Sequence, residues 1–535
     1  MLSPLHRPIR FSRVIAMLAA ISIAAAACTP SSDDASNGTP ESLVLAVGSE
    51  PDEGFDPTLG WGEYGSPLFQ STLLRRDHDL ELVNDLATDV AVSDDSLTWT
   101  VTIRDDVRFH NGEPLTARDV AYTFSTAATS GGVIDLTDLA EARVIDDVTV
   151  ELELVRPRST FVHRLATLGI VPADAHDDNY GRAPVGSGPY VFERWDVGQQ
   201  LVATRYADYH GQEPAFERIV LLFTDADTTL AAARSGDVHL AGVPQTLAGD
   251  PIDGMTLVRV PSVDNRGVMF PYQPDTGETT DDGKPIGNDV TSDLAIRQAI
   301  NVAIDRAALV EGVLEGFGTP AYGPVDGLPW FEPSSIVNDG DLDTAAAILE
   351  AAGWTGQPRS RDGIEARFTL LYPGTDPVRQ ALALAFRDMV AELGIVIDVD
   401  GVGWDIIGER RHTDAVVFGW GSHDPTEMYN LHHSTLAGTG SFNAGFFADE
   451  QVDTYLDLAM GAPTQDEANV WWRAAQLDDA GHGFSAPSLA AWAWLVNLDH
   501  TYYADDCLDL GQLQVEPHGH GWPVTAGILD WRWVC

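Results

Sequence analysis

Apolar positions along this chain switch between two periods, and the switching lays out a mixed α/β protein. Residues 43–47 (LVLAV) are a short continuous apolar run of the buried-strand type, after which Phe55-Asp56-Pro57 opens a loop. Residues 97–104 and 148–154 (VTVELEL) alternate with period two, predicting strands with one buried face. Helical spacing appears in residues 293–314, where Leu294, Ile296, Ile300, Ile304 and Val310 share one stripe, predicting a single amphipathic helix. Further helices are predicted within 230–240, ended by Gly236, and over 342–353, capped by Asp341 or Asp343 and closed by Gly353. Asp376-Pro377 supplies the N-cap and first position of a helix that runs to Leu393 and stops at Gly394, with a buried strand following at 395–399. Residues 415–420 (AVVFGW) read as another buried strand with Trp420 at its exit, and 421–425 as the turn after it. Helix–glycine–strand units of this kind build α/β lobes.

The N-terminus departs from that pattern. Arg7, Arg10 and Arg13 precede an uncharged apolar run over residues 14–27, too short to span a bilayer comfortably, which predicts an export signal over 1–27. Cys28 directly follows the alanines that end this run, as in a lipobox, and is expected to carry a lipid anchor; cleavage without lipidation is the alternative. Residues 28–42 are polar and read as a flexible tether. Removing the leader's three arginines, with no acids among them, takes the formal charge from −50 to −53. With Lys284 the one lysine, this argues against nucleic acid as a partner. If Cys28 is lipidated, Cys507 and Cys535 remain as an even pair in an oxidising compartment, and a disulfide is expected; a zinc site with His518 and His520 is the alternative.

The densest local signal is residues 109–124, FHNGEPLTARDVAYTF. Asn111-Gly112 is a turn dipeptide, and Thr116 with Asp119 is a near relative of the capping box, leading into Val120, Tyr122 and Phe124. Downstream come 184–195 (PVGSGPYVFERW), 206–209 (YADY), 230–240 (LAAARSGDVHL) and the helices at 293 and 342. In wording and order these resemble the family 5 extracellular solute-binding proteins, the peptide- and nickel-type receptors of ABC importers, over residues 43–535. Other chemistry is not supported. The Gly186-Ser187-Gly188 run lacks the nucleophile-elbow spacing. Gly277 and Gly283 are separated by five residues, with Pro285 where a phosphate loop has Ser or Thr.

The resemblance implies a two-lobed periplasmic-binding-protein-like fold (type II, cluster C) with an extra α/β subdomain in lobe I. Lobe I would comprise 43–66, 183–265 and 500–535, the subdomain 67–182, and lobe II 266–499, with crossings near 261–265 and 496–500 as hinges. It also implies a monomeric, extracytoplasmic receptor without catalysis or cofactor, which delivers a peptide to permease subunits in the membrane. The family segment that follows the exit tryptophan places the site at Trp420, His423 and Asp424. His423 stands where the peptide branch has an amine-anchoring acid, and Asp424 is left to shape the turn beside Pro425. Trp404, Tyr429, Tyr64 and Trp61 are candidate walls of the cleft or members of the core. Two alternatives stand: a nickel or chelate receptor using His432 and His433, which otherwise read as a solvated surface pair, and a surface-anchored hydrolase. One expectation is testable from the leader alone. Cys28→Ala is expected to release processed protein into the medium, as fractionation and immunoblotting would report; equal membrane retention would refute the lipobox.

Overall fold

The computed structural model describes residues 39–51, 54–519 and 521–535. The leader, Cys28, the tether up to residue 38, and His520 lie outside the described residues. An 11-stranded sheet is organised about two long antiparallel strands, Met255–Met269 and Trp492–Asp505. On one flank Leu240–Val243 pairs with Trp492–Asp505 and is followed by Leu43–Ala46, Arg218–Leu222, Gln200–Arg205 and Tyr190–Asp196. On the other, Ala415–Trp420 pairs with Asn265–Met269, then come Arg367–Pro373 and Val396–Val402. The two long strands are thus the link between a sheet region built from the first half of the chain and another built from the second. Their register shifts between Pro261 and Asn265, and again between Arg266 and Gly267. A proline donates no ladder hydrogen bond, so pairing breaks there most easily.

A separate four-stranded sheet, in the order Ala87–Val92, Thr98–Ile103, Thr149–Leu154, Leu139–Val144, packs on the helix Ala117–Ser130 around its own core, which includes Trp99, Val101, Phe124 and Leu152. Alternation in these strands follows from one face lying on that helix and the other facing out.

Local signals account for the element ends. Thr116 Oγ1 and its backbone N–H both donate to Asp119 Oδ2 at 2.9 Å, and Gly112 takes a φ of 87° in the preceding turn. Asp376 accepts from Arg379 N at 2.9 Å at the start of Pro377–Ala391, and Gly394 adopts a φ of 77° after its end. Asp341, rather than Asp343, caps Leu342–Ala351. The helix expected over 293–314 is two, Leu294–Ala303 and Arg306–Val313. Asp305 caps the second, accepting from Ala308 N, and Ile304 turns extended while staying fully buried. Arg306 explains the break. Its buried guanidinium donates to the carbonyls of Ala321, Trp494 and Asn301 and to Asp339, a set that an uninterrupted helix would not place around it.

The landmarks at 109–124, 184–195 and 206–209 meet in space. His110 N donates to Gly186 O at 2.8 Å, His110 Nε2 lies 3.0 Å from Gly188 O, and Tyr206 Oη donates to Phe109 O at 3.0 Å. Asp119, besides capping its helix, accepts from Ala173 N. These residues clamp loops together, which gives the signature a structural role. Cys507 and Cys535 are disulfide-bonded, which removes the thiolates that the zinc alternative required. Among the described residues no helix is long and apolar enough to cross a membrane.

The clamp sets a steric test. A Cβ on Gly186 would fall 2.0 Å from the carbonyl oxygen of Phe69. Gly186→Ala is therefore expected to destabilise the protein by about 1–3 kcal/mol, the usual cost of overpacking, as a lowered urea midpoint; an unchanged midpoint would show that the neighbouring backbone yields freely.

Candidate functional site

The turn after Trp420 is forced against the break in the long strands. Gly421 has a φ of 150°, and a Cβ there would sit 2.5 Å from Val263 O. Trp420 N donates to Asn265 Oδ1 at 3.1 Å, and Gly421 O accepts from His518 N at 2.7 Å. Three distant segments, 261–266, 420–427 and 514–518, are thereby held in contact, and their polar side chains are buried together.

Asp264 is the centre of the first group. It is 2 % exposed and accepts from His500 Nε2, from His518 Nδ1 and from Arg266. His500 Nδ1 donates in turn to Glu516, which also accepts from Tyr502 Oη at 2.7 Å. Desolvation would raise Asp264, but Arg266, His518 and His500 outweigh it and hold its carboxyl well below the ordinary range. His500 is disfavoured as a cation by burial, yet its two carboxylate partners raise it to about 9. Glu427 contrasts with Asp264: burial, with the charges of Asp424 and Asp264, pushes it up to about 8, although Gly421 N donates to its Oε2 at 3.0 Å. Its Oε1 has no hydrogen-bond partner among the described residues.

The second group lies on the other side of the turn. Asp424 is 4 % exposed, accepts from Thr426 N at 2.9 Å, and forms a 2.8 Å ion pair with Arg164, which also reaches Glu63 at 3.3 Å. Turn shaping is thus only half of its role. His423 is buried, and burial, reinforced by Arg76, lowers its imidazole to about 3, so it is neutral at physiological pH. Beside it, Arg76 donates to the His423 carbonyl at 3.3 Å and lies 3.0 Å from His163 Nδ1.

Of the remaining candidates, Tyr64 packs edge-on against His518, with ring centroids 6.0 Å apart, and so joins the first group. Trp420 lies among Phe418 and Phe442, and Trp404, half exposed, stacks on Phe418 and faces the Arg379 guanidinium at 5.9 Å. Tyr429 stacks on His433 at 4.3 Å and directs its hydroxyl to Asp457. Trp61 belongs to the core beside Phe55 and Trp522, its Nε1 bonded to Pro67 O. His432 and His433 are not a surface pair. His432 is fully buried, stacked on Phe484 at 3.7 Å, while His433 is buried against Tyr429 and Asp457. Among the described residues no group of three or more His, Cys, Asp or Glu side chains could hold a metal ion.

Sequence reading passed over Glu63, Arg76, Asp264, Arg266 and Glu427. Their one signal was charge inside apolar strands and turns, as in Leu74–Arg76 and Met255–Met269, and a charge there reads equally as an exposed face.

The sequence model for bacterial extracellular solute-binding proteins, family 5 Middle, matches residues 81–442. Protein XP55 of Streptomyces lividans is 37 % identical over 532 residues, covering 95 % of this chain and 93 % of that one. This chain belongs to the family 5 solute-binding proteins. The oligopeptide-binding protein AppA of Bacillus subtilis is 26 % identical over 417 residues, 73 % of this chain and 74 % of AppA. NikZ from Campylobacter jejuni, solved with Ni(L-His), superposes with a TM-score of 0.78 at 22 % identity over 92 % of this chain and 100 % of NikZ. The fold is accordingly the mixed α/β fold of cluster C periplasmic binding proteins, and the family 5 chain is a non-catalytic solute-binding component of an ABC importer.

The Asp264 group gives this family 5 protein a pH signature. His500 is raised from 6.5 to about 9 on folding, so its contribution is present in full below about 6.5 and is lost as pH rises through 9. The shift corresponds to on the order of 3 kcal/mol. Stability measured by denaturant titration is expected to decline between pH 6.5 and 9.5 in the parent, with that slope reduced in His500→Gln; parallel profiles would show that His500 does not gain its proton affinity on folding.

Proposed function

We propose that this protein captures peptides between two lobes and delivers them to a membrane permease, held at the membrane by lipid on Cys28. Lobe I is 43–66, 183–265 and 500–535 with the 67–182 subdomain, and lobe II is 266–499. The observation that carries the reading is the buried polar array around the 420–427 turn, which joins side chains from both parts, Arg164 and Glu63 from one, Asp424 from the other. An array with both signs of charge, Trp420 alongside, and polar atoms still unpartnered suits a zwitterion with a variable side chain. The register break at Pro261–Asn265, opposite Asn497–Asp499, supplies the pivot, because few ladder bonds resist bending there. AppA's function supports a peptide over other solutes.

Two measurements test this. Mass spectrometry of ligand released from native protein is expected to find peptides. In calorimetry with a peptide pool, Trp420→Ala is expected to weaken binding by about 1–3 kcal/mol, the loss typical of a buried aromatic contact. Binding of nickel–histidine but no peptide would replace the reading with a chelate receptor, and unchanged binding of both would place the site elsewhere.

A further inference from the structure

Residues 155–160 (VRPRST) leave the strand Thr149–Leu154 and enter a helix at Phe161. The segment is held from within. Arg158, 4 % exposed, pairs with Asp138 at 2.8 Å and with Asp135 at 2.7 Å, and Asp138 also takes Arg156 at 2.8 Å. Set on this base, Ser159 reaches 300 positions along the chain to the end of the helix Glu450–Met460. Its N–H donates to Met460 O at 2.7 Å and its hydroxyl to Ala459 O at 2.8 Å. Thr160, fully buried, places Oγ1 3.9 Å from Met460 Sδ.

These bonds give the helix what its own sequence lacks. The last carbonyls of a helix have no partner within it, and that end favours a cation. Glu450–Met460 has no basic residue in its last turn, where Asp457 stands instead. Gly461 N donates back to Asp457 O and Ala462 N to Ala459 O, which leaves Met460 O to Ser159. Arg156 brings the cation; Asp138 first, and Asp457 more weakly, raise the proton affinity of its guanidinium. Two contacts flank the segment. His163 meets Trp330 edge-on, ring centroids 6.3 Å apart, and Leu80, in the turn between Leu74–Arg76 and Leu82–Asn84, packs on the core that holds Met428 and Trp472. Residues 67–182 thus rest on 266–499 at separate points. Leu80, Ser159, Thr160, Ala459 and Met460 do not wall the cavity of about 420 Å³ beside the turn at Ser422, His423 and Asp424, so their contacts form whatever that cavity holds.

We infer that 155–160 is a latch between the lobes: it fastens the 67–182 subdomain to the C-terminal end of the helix Glu450–Met460 and favours the closed arrangement before any ligand arrives. The inference rests on the two-lobe reading above. Bonds that exist only when the lobes meet shift the balance of open and closed forms toward closure, so a ligand has less of that shift to supply. A segment already fixed by Arg158 loses little freedom on docking, and its bonds keep most of their effect.

Small-angle X-ray scattering of the purified, ligand-stripped protein tests this on the parent, on Ser159→Pro, which removes the N–H donor and the hydroxyl, and on Ser159→Ala, which removes the hydroxyl alone. The radius of gyration is expected to shift upward in Ser159→Pro relative to the parent, and by less in Ser159→Ala. If Ser159→Pro is not folded by circular dichroism, the shift in Ser159→Ala decides. Equal radii in the parent and a folded variant overturn the latch. Adding a peptide pool then separates that result from a failure of the two-lobe reading. Compaction of parent and variants alike leaves two moving lobes without a latch, whereas one radius throughout, with and without peptide, refutes the moving lobes together with the latch.

Discussion

Everything in this molecule leans on the antiparallel pairing of Met255–Met269 with Trp492–Asp505 and on its interruption. The two strands run unbroken through the sheet, so the two sheet regions share a backbone ladder. At Pro261–Asn265 that ladder lapses, and the chain substitutes side chains for main-chain bonds. Ser262 Oγ donates to Leu498 O, Asn265 Nδ2 to Pro324 O, and the 514–518 segment is drawn in as Val263 N donates to Glu516 O. A break in a buried ladder leaves polar groups that need partners, and supplying those partners is what concentrates Asp264, His500, Glu516 and His518 at one place.

The same economy of partners separates the two polar groups beside the Trp420 turn. Around Asp264 every charge has an opposite neighbour. Around Glu427 and His423 it does not: Glu427 Oε1 and His423 Nε2 are buried without hydrogen-bond partners among the described residues. The contrast lies in pairing rather than in burial. It also explains why two carboxyls a few residues from the same turn are displaced in opposite directions, Asp264 down and Glu427 up.

The most recognisable stretch of the chain, residues 109–124, turns out to serve neither group. His110 secures the Gly186–Gly188 passage and Asp119 both caps a helix and holds the loop at Ala173. Its wording announces the fold because small, exacting clamps leave little freedom in sequence.

Much of the architecture was legible in one dimension. Periodicity and caps fixed the ends of Ala415–Trp420, Pro377–Ala391 and Leu342–Ala351, since a hydrophobic stripe, an Asp N-cap and a positive-φ glycine act within a few residues. The order of motifs sufficed to name the family, and Trp420, His423 and Asp424 were singled out from the resemblance of 420–425 to a family segment. What the sequence could not convey were relations between segments hundreds of residues apart. The split of the 293–314 helix depends on carbonyls that Arg306 finds at Ala321 and Trp494. The burial of His432 depends on Phe484, and the pairing of Asp424 on Arg164 across more than two hundred positions. Local propensity reaches one turn of helix or one strand pair. Whether a charge is satisfied, buried or waiting is settled only when the chain has closed around it.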